Sequence, residues 1–456
     1  MDNSEVYVGL DIGTTSVKAL VCENVKGQLK VIGVGVAPSN GLNKGVIVDI
    51  DKTARAISQA VADAEAKSGL NIKDLIVGLP ANYLQMQKVH GMITIASQGQ
   101  SREIVNRDVI DVAKETLTQN IPPERAVLDL IPTEFAVDGF GGIKDPRGMV
   151  SVRLEMKGTL YTGPKTILHN TKKAVQTAGY RIKDFVISPI ATNFNLLNDG
   201  EQDFGTVVID LGGGQTTTSI VHDHQLKYTF VDPEGGRYIT KDISTVLNTS
   251  LKDAEQLKLN HGFADHTLAD PEAQVNVNVV GKNEPVQFTE EYLAEVIEAR
   301  MRQIFERIHQ RLQAIHAPEL PGGVTIIGGG AAMPGVKELA QQYFPGNIKV
   351  YVPEQMGIRH PLNATGLALA MYENGLSDVD KLIKQTIQQP DIVDSPDDVR
   401  VAPQPTRQFV RQWTNKQTKP SRTQKNEQKI NKKPQTQKTT GSFGEKFKGF
   451  FDNIFD

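Results

Sequence analysis

The chain has 456 residues, 39% of them hydrophobic and 23% charged, which is enough for two or three domains with hydrophobic cores. Its single cysteine, Cys22, excludes an internal disulfide and favours a reducing compartment, and no run approaches the roughly 18 apolar residues of a membrane-spanning helix. The net charge of −3 is unevenly distributed, because residues 401–440 carry +9 and residues 441–456 carry −1, which leaves −11 for residues 1–400. No basic segment followed by an apolar one opens the chain, so we expect no signal peptide.

Predicted strands and helices alternate from residue 1 to about residue 385. Three β-rich runs, VYVGLDIG, SVKALVCE and LKVIGVGV, precede a helix over 52–69 that a glycine ends. DLIVGLP is typical of a buried strand, mixed elements fill 84–162, and a helix candidate over 164–178 leads into the strand DFVISP. The alternation predicts an α/β fold.

The opening pattern returns from residue 205. YVGLDIGTTSVKALV at 7–21 and VVIDLGGGQTTTSIV at 207–221 both contain an apolar strand, an aspartate, an apolar residue, a glycine, a small polar turn and a second strand. Asp11 and Asp210 occupy equivalent positions in the two copies. A repeat spaced about 200 residues apart is too long for a solenoid and predicts two related halves of one molecule.

Each repeated turn has the composition of a phosphate-binding loop. Glycines allow a tight turn that brings N–H groups close to an anion, and threonine hydroxyls add donors. Asp11 and Asp210 would hold Mg²⁺ through water, because a carboxylate repels phosphate directly but can bind a metal ion that bridges to it. The residues predicted to grip one polyphosphate are Gly13, Thr14, Thr15 and Lys18 in the first half and Gly212, Gly213, Gly214 and Thr216 in the second.

A third glycine-rich turn, VTIIGGGAAMPG at 324–335, follows another predicted strand. Its small residues suit close approach of the backbone to a base or ribose. An ordinary β-hairpin turn explains DIGTT equally well when that motif is taken alone. Two copies at matching places, with a third turn, favour a nucleotide site.

These three turns, in this order and spacing, resemble those of the actin-like ATPase superfamily, and within it the FtsA family of bacterial cell-division proteins. The segments that carry the resemblance are VGLDIGTTSVKALV, GLNKGVIVDIDK, VVIDLGGGQTTTSI, AEQLKLNHG and IIGGGAAMPG. The resemblance covers about 1–385 and again 441–456. Residues 386–440 resemble the corresponding segment of the family only in amino-acid composition.

The resemblance implies an actin-like (ribonuclease-H-like) duplicated α/β fold in which an inserted subdomain, 1C, replaces one actin subdomain. The expected divisions are 1–83, 163–195 and about 362–385 for subdomain 1A, 84–162 for 1C, 196–230 and 301–361 for 2A, 231–300 for 2B, 386–440 for a disordered basic linker, and 441–456 for an amphipathic helix.

The resemblance also implies ATP and Mg²⁺ as cofactors. By similarity, the adenosine side would be lined by Gly235, Gly236, Glu255, Lys258, Gly329 and Gly330. From the sequence alone, Glu255 and Lys258 are better explained as a solvated helix face. The sequence leaves open whether the protein hydrolyses ATP. Hydrolysis needs a group that orients the attacking water, and the two well-placed carboxylates, Asp11 and Asp210, are both assigned to the metal. We expect ATP binding with weak or absent turnover.

The last sixteen residues, GSFGEKFKGFFDNIFD, predict an amphipathic helix. On a helical wheel its apolar side chains fall within an arc of about 140°: Phe443, Phe447, Phe450, Phe451, Ile454 and Phe455. A helix this short cannot span a bilayer but can lie in its interface. Docking on the protein's own core and binding to a partner's groove are the alternatives, and the polar linker over 386–440 disfavours the first.

The resemblance places the protein peripherally on the cytoplasmic side of the cell membrane, at the division septum. It implies self-association, binding to other division proteins and binding to the C-terminal peptide of FtsZ, the tubulin-like ring protein, with no nucleic-acid partner. Arg300 and Arg302 are candidate contacts for that peptide, although solvated arginines on a packed helix are the simpler explanation. Sugar-kinase-type phosphotransferases, chaperone ATPases and pilus-assembly ATPases are the alternatives. The linker and apolar terminus disfavour the first, and 386–440 cannot supply a chaperone's substrate domain.

Overall fold

The structure is a computed structural model that describes residues 5–96, 100–317 and 319–388. The predicted terminal helix over 441–456, with all six of its apolar residues, lies outside the described residues. The predicted linker also lies outside them, apart from residues 386–388, which are the last turn of a helix.

Strands and helices alternate as the sequence predicts. The strands are β1 Glu5–Ile12, β2 Ser16–Val25, β3 Gln28–Pro38, β4 Leu42–Asn43, β5 Val46–Ile47, β6 Asp74–Leu79, β7 Gln85–Thr94, β8 Arg102–Glu103, β9 Arg125–Val137, β10 Phe140–Ile143, β11 Val150–Ser151, β12 Arg153–Pro164, β13 Arg181–Ile187, β14 Thr206–Leu211, β15 Thr216–His222, β16 Gln225–Asp232, β17 Gln274–Val277, β18 Val286–Thr289, β19 Val324–Ile327 and β20 Ile348–Val350. The α-helices are α1 Ile50–Ser68, α2 Asn106–Thr116, α3 Lys165–Thr177, α4 Ser188–Leu196, α5 Asp199–Asp203, α6 Gly236–Val246, α7 Leu251–His261, α8 Glu290–Ala314, α9 Val336–Gln341, α10 Ala364–Gly375 and α11 Asp378–Gln388.

Two five-stranded sheets share one topology. The first has the order β3-β2-β1-β6-β13 and the second β16-β15-β14-β19-β20. In each sheet three consecutive strands form an antiparallel meander; its first strand then pairs in parallel with a later strand, which pairs in parallel with one more. The duplication predicted from the repeated motif is therefore confirmed at the level of the fold.

Helix α1 shows why the predicted helix forms where it does. The Asp49 side chain caps its first turn by accepting a hydrogen bond from the Lys52 N–H, and Gly69 ends it in the left-handed conformation with φ of 72°. The helix packs directly on β3, where a Cβ added to Gly35 would lie only 1.7 Å from the Ala60 carbonyl oxygen. A glycine at that position is thus required for the helix to sit this close to the sheet.

The inserted unit at 84–162 has its own sheet, in the order β10-β9-β12-β7, with α2 packed against β7. Its core contains Phe135, Leu154 and Met156, which are almost completely buried. This unit has a hydrophobic core separate from the cores of the two large sheets.

Helix α11 departs from the expected grouping of residues 362–385 with subdomain 1A. Helix α10 does pack on β1 and β2 of the first sheet, but α11 packs on α2 and β9 of the inserted unit. Val379 and Ile383 of α11 are buried in the same core as Phe135. Apolar burial therefore joins the end of the described chain to the inserted unit.

A buried ion triad fixes α11 in place. The ammonium of Lys384 lies 3.0 Å from Asp129 Oδ2 on β9 and 2.9 Å from Asp184 Oδ2 on β13. All three side chains are less than a tenth exposed. The triad links α11, the inserted unit and the first large sheet at one point.

Helix α8 also crosses an expected boundary. The predicted division between subdomains 2B and 2A at residue 300 falls in the middle of this continuous helix, whose buried side includes Ile297, Ile304 and Phe305. These residues belong to the core of the second sheet. No helix within the described residues has the length and apolar character needed to cross a membrane.

Candidate functional site in the cleft

The three glycine-rich turns meet in a cleft between the two large sheets. They surround a cavity of about 570 Å³. The predicted residues that line it are Asp11, Gly13, Thr14, Thr15, Lys18, Asp210, Gly212, Gly213, Gly214, Gly236, Glu255, Lys258, Gly329 and Gly330. Residues from both halves and from the third turn therefore come together as the sequence pattern predicts.

The turns of the two halves contact each other directly. A Cβ added to Gly213 would lie 2.4 Å from Thr15 Cγ2, and one added to Gly214 would lie 2.5 Å from Thr14 Cγ2. A side chain at either glycine would collide with one of these threonines, so the two turns could not approach this closely. The approach needs glycine for reasons of space, because neither residue has a positive φ.

The two hairpins place one carboxylate each on the cavity side, but with different partners across the strand. In the first half Asp11 stands opposite Lys18, and the ammonium lies 2.7 Å from Asp11 Oδ2. In the second half Asp210 stands opposite Thr217. The first carboxylate is therefore neutralised by the chain itself, whereas the second has an uncharged neighbour at the equivalent position.

This asymmetry appears in the electrostatics of Asp210. Burial and, after it, the negative charge of Asp11 raise its pKa to about 6, and Lys18 opposes this rise only in part. A half-buried carboxylate whose charge the protein leaves largely uncompensated is a good ligand for a divalent cation, directly or through water. The donor set thus fits Mg²⁺, with Asp210 as the stronger of the two predicted carboxylates.

Gly328, in the third turn, makes room for this carboxylate. Its φ is +89°, and an added Cβ would lie 2.3 Å from Asp210 Oδ1. Both conformation and space therefore require glycine here. The sequence reasoning named Gly329 and Gly330 but omitted Gly328, although all three line the cavity.

Thr216 is a correction to the predicted site. It is fully buried, and its hydroxyl donates to the Glu234 carbonyl at 2.9 Å instead of lining the cavity. The hairpin register explains the difference, because Thr216 pairs with Leu211 while Thr217 pairs with Asp210. Side chains alternate along a strand, so Thr217 takes the cavity side.

Gly235 is a second correction, since it supports the turn and does not line the cavity. A Cβ added there would lie 2.3 Å from the Gly212 carbonyl oxygen. That carbonyl accepts the Gly236 N–H at 3.0 Å, and the Gly213 carbonyl accepts the Arg237 N–H at 2.7 Å. The first turn of α6 is therefore held against the second glycine turn.

Glu255 and Lys258 on α7 line the cavity, in contrast to the solvated helix face that the sequence alone favours. The Lys258 ammonium lies 2.7 Å from Glu255 Oε2 and 2.9 Å from Thr240 Oγ1, and it donates to the Gly236 carbonyl at 3.2 Å. Only 9% of the Lys258 side chain is exposed. Together with Thr240, the pair forms a polar wall beside the start of α6.

Two polar connections across the cleft were missed by the sequence reasoning. The Arg237 guanidinium donates to the carbonyls of Ser39 at 3.1 Å and Leu42 at 3.2 Å. Asn82 Nδ2 donates to Gln215 Oε1 at 2.9 Å. Gln215 adjoins the glycines of its turn, which is a usable sequence signal, but nothing near Asn82 in the sequence marks it.

The two arginines predicted to contact a partner peptide differ in their surroundings. Arg300 is held by Asp242 at 2.6 Å and Glu234 at 2.8 Å and is largely buried. Arg302 pairs with Glu298 at 2.6 Å, and 39% of its side chain is exposed. Arg300 is therefore held by two carboxylates and Arg302 by one, and more of the Arg302 side chain faces solvent.

Comparisons with known proteins give a consistent picture. Residues 207–368 match the family model described as cell division protein FtsA, and residues 81–162 match the model described as the SHS2 domain inserted in FtsA. The chain is 48% identical over 456 residues to the cell division protein FtsA of Enterococcus faecalis, covering all of both chains. It is 48% identical over 405 residues to that of Streptococcus pneumoniae, covering 89% of this chain and 88% of the relative. For the Bacillus subtilis protein the identity is 41% over 372 residues, with 82% and 84% covered.

Solved structures show the same fold at low identity. The PilM–PilN type IV pilus biogenesis complex contains a chain that superposes with a TM-score of 0.57 at 14% identity, covering 81% of this chain and 99% of that one. MreB5 of Spiroplasma citri bound to ADP gives a TM-score of 0.50 at 14% identity, covering 84% and 99%. These similarities establish the actin-like fold.

Proposed function

Since the chain belongs to the FtsA family of cell-division proteins and has an actin-like fold, we propose that it binds ATP with Mg²⁺, self-associates, binds FtsZ and attaches it to the cytoplasmic face of the cell membrane. Other division proteins would join it at the septum. Membrane attachment would be made by the apolar residues of 441–456, aided by the basic segment before them.

The observation that carries the nucleotide part of this proposal is the meeting of the two repeated turns, one from each half, around Asp210. Their backbone N–H groups would hold the phosphates, and the Glu255–Lys258 wall would face the nucleoside. Bound Mg²⁺ would neutralise phosphate charge, and Asp210 would hold the ion in position. MreB5, which shares this fold, was solved with ADP, and this supports a nucleotide in the cleft.

The proposed function predicts that the chain will carry FtsZ to membranes. FtsZ should sediment with anionic vesicles only in the presence of the full chain and Mg-ATP. Phe451→Glu should reduce recovery about fivefold or more, because a charge in the apolar face opposes insertion. Vesicle co-sedimentation of purified FtsZ, quantified on gels, measures this.

The matched control is Asn453→Glu, which adds the same charge to the polar side of the predicted helix. It should retain about half or more of the recovery. Equal losses for Phe451→Glu and Asn453→Glu, or full recovery with a chain ending at residue 440, would exclude the membrane anchor.

Binding of the FtsZ C-terminal peptide should depend on Arg302. Arg302→Glu should weaken binding of this acidic peptide by about fivefold or more, because an exposed cation that faces a negative ligand is replaced by an anion. Fluorescence anisotropy with a labelled peptide measures the affinity. Arg302→Glu breaks one ion pair, with Glu298, whereas Arg300→Glu breaks two, with Asp242 and Glu234, so Arg302 is the cleaner test.

The control for Arg302 is Lys337→Glu, an exposed residue of α9 in the same half with the same change of charge. A loss of affinity confined to Arg302→Glu supports a local contact. An unchanged affinity for Arg302→Glu removes this residue from the proposed peptide site.

A further inference from the structure

A hydrogen bond between Asn82 and Gln215 joins the inserted unit to the second glycine turn. Asn82 Nδ2 donates to Gln215 Oε1 at 2.9 Å and to the Lys44 carbonyl at 3.2 Å. Asn82 lies just before the inserted unit at 84–162, three residues before β7 and inside the 81–162 range that matches the inserted-domain model, and Gln215 directly follows Gly214. A side chain at the start of the insertion is therefore bonded to a residue that lines the cavity.

The Gln215 carboxamide packs against Gly45 of the first half, which lies between β4 and β5. A Cβ added to Gly45 would lie 2.3–2.5 Å from the oxygen, carbon and nitrogen of this carboxamide. The Gly45 N–H in turn donates to Thr14 Oγ1 at 3.1 Å. Both Gln215 and Gly45 line the cavity, so the carboxamide lies where the turns of the two halves converge.

Hydrogen-bonding capacity is left over at this point. The Gln215 oxygen accepts from Asn82, so its NH₂ group remains as a donor beside the glycine N–H groups. Asn82 Oδ1 is buried and has no hydrogen-bond partner within the described part of the chain. Since phosphate oxygens are acceptors, a water molecule would complete this oxygen, whereas the Gln215 NH₂ group can donate to a phosphate directly.

We propose that Gln215 contacts the terminal phosphate of a bound nucleoside triphosphate and that Asn82 transmits this contact to the inserted unit. The inference rests on the proposed nucleotide function and adds a positioning residue to it. A nucleoside diphosphate lacks the phosphate that Gln215 would contact. The triphosphate and the diphosphate would therefore affect the Asn82–Gln215 hydrogen bond differently. A ligand can shift a conformation only through such a difference in interaction.

The first test is the preference for ATP over ADP, measured by titration calorimetry of the full chain with Mg²⁺ and each nucleotide. Gln215→Ala should reduce the ratio of the ADP and ATP dissociation constants about fivefold or more, with ADP affinity changed by less than about twofold. An unchanged ratio, or equal losses for both nucleotides, would overturn the proposed phosphate contact.

The second test is hydrogen exchange of the β7 amides in the presence of saturating Mg-ATP or Mg-ADP. The intact chain should show different exchange with the two nucleotides. Asn82→Ala should abolish this difference while weakening ATP binding by no more than about threefold. A difference that persists in Asn82→Ala would overturn the relay.

Asn24→Ala is the matched control, because Asn24 Nδ2 makes another amide–amide hydrogen bond, of 2.7 Å, to Asn374 Oδ1. It should behave like the unmodified chain in both tests. If the unmodified chain binds neither nucleotide, the proposed function itself fails. That outcome is distinct from a chain that binds both nucleotides and is insensitive to Gln215→Ala and Asn82→Ala.

Discussion

Replacing Lys384 with methionine is expected to lower the free energy of unfolding by about 3–5 kcal/mol, because removing one member of a buried ion cluster leaves the opposite charges unpaired. The ammonium lies within 3.0 Å of carboxylate oxygens of both Asp129 and Asp184, in an environment with almost no solvent contact. Burial raises the pKa of both carboxyl groups although Lys384 opposes this rise, and the pKa of Asp184 is left at about 6. Urea denaturation of the full chain measures the change.

The loss of unfolding free energy caused by Lys384→Met should depend on pH. Without the ammonium, the folded-state pKa values of Asp129 and Asp184 rise further above their unfolded values, so the folded state binds more protons than the unfolded state. The deficit should therefore be largest above about pH 7 and shrink toward about pH 5, as these carboxyl groups take up protons. Lys381→Met, which removes an exposed lysine of the same helix, should cost less than about 1 kcal/mol. Equal deficits for the two variants would contradict the triad's role.

Replacing Asp210 with asparagine is expected to abolish Mg-dependent ATP binding, with a loss of about 100-fold or more, because the cation loses its uncompensated carboxylate. The same change should stabilise the nucleotide-free protein. The pKa of Asp210 is raised from 3.8 to about 6 on folding, which corresponds to a penalty of up to about 3 kcal/mol for the charged form above pH 6. Calorimetric titration with Mg-ATP and thermal unfolding without nucleotide measure the two effects.

The sign of the pH dependence distinguishes the raised pKa of Asp210 from a change in stability that has nothing to do with the titration of this residue. A raised aspartate pKa destabilises the fold progressively between about pH 4 and pH 6, so the advantage of asparagine should be full near pH 7.5 and roughly half as large near pH 5. The control is Asp203→Asn, an exposed residue in the same half. Loss of stability in Asp210→Asn at neutral pH would show that another group already neutralises this carboxylate.

The parts of the site that the sequence predicted are those encoded locally. Glycine and threonine around Asp11 and Asp210 define each turn within a few residues, and the repeat of this motif reveals the duplication. The hairpin register was also within reach of the sequence. Counting alternate positions back from the turn places Lys18 opposite Asp11 and Thr217 opposite Asp210, which would have excluded Thr216.

The features that escaped prediction depend on contacts between distant parts of the chain. Lys384 and Asp129 are 255 residues apart, and Asn82 and Gln215 are 133 apart. Neither Lys384 nor Asn82 stands in a motif, because a lysine on an amphipathic helix and an asparagine before a strand are ordinary surface residues in most proteins. The tertiary fold alone gives these side chains their buried partners.

The docking of α11 determines which part of the fold would bear a force applied to the chain beyond residue 388. The elements on which α11 packs, α2 and β9, and the carboxylates that bind Lys384 all belong to the first half of the molecule and its insertion. Tension on the chain after residue 388 would act on the first half alone. It would strain the contacts between α11, the inserted unit and the first sheet before it could widen the cleft between the two halves. Mechanical load on the tail and the nucleotide contact relayed through Asn82 would then both reach the inserted unit, each through different contacts.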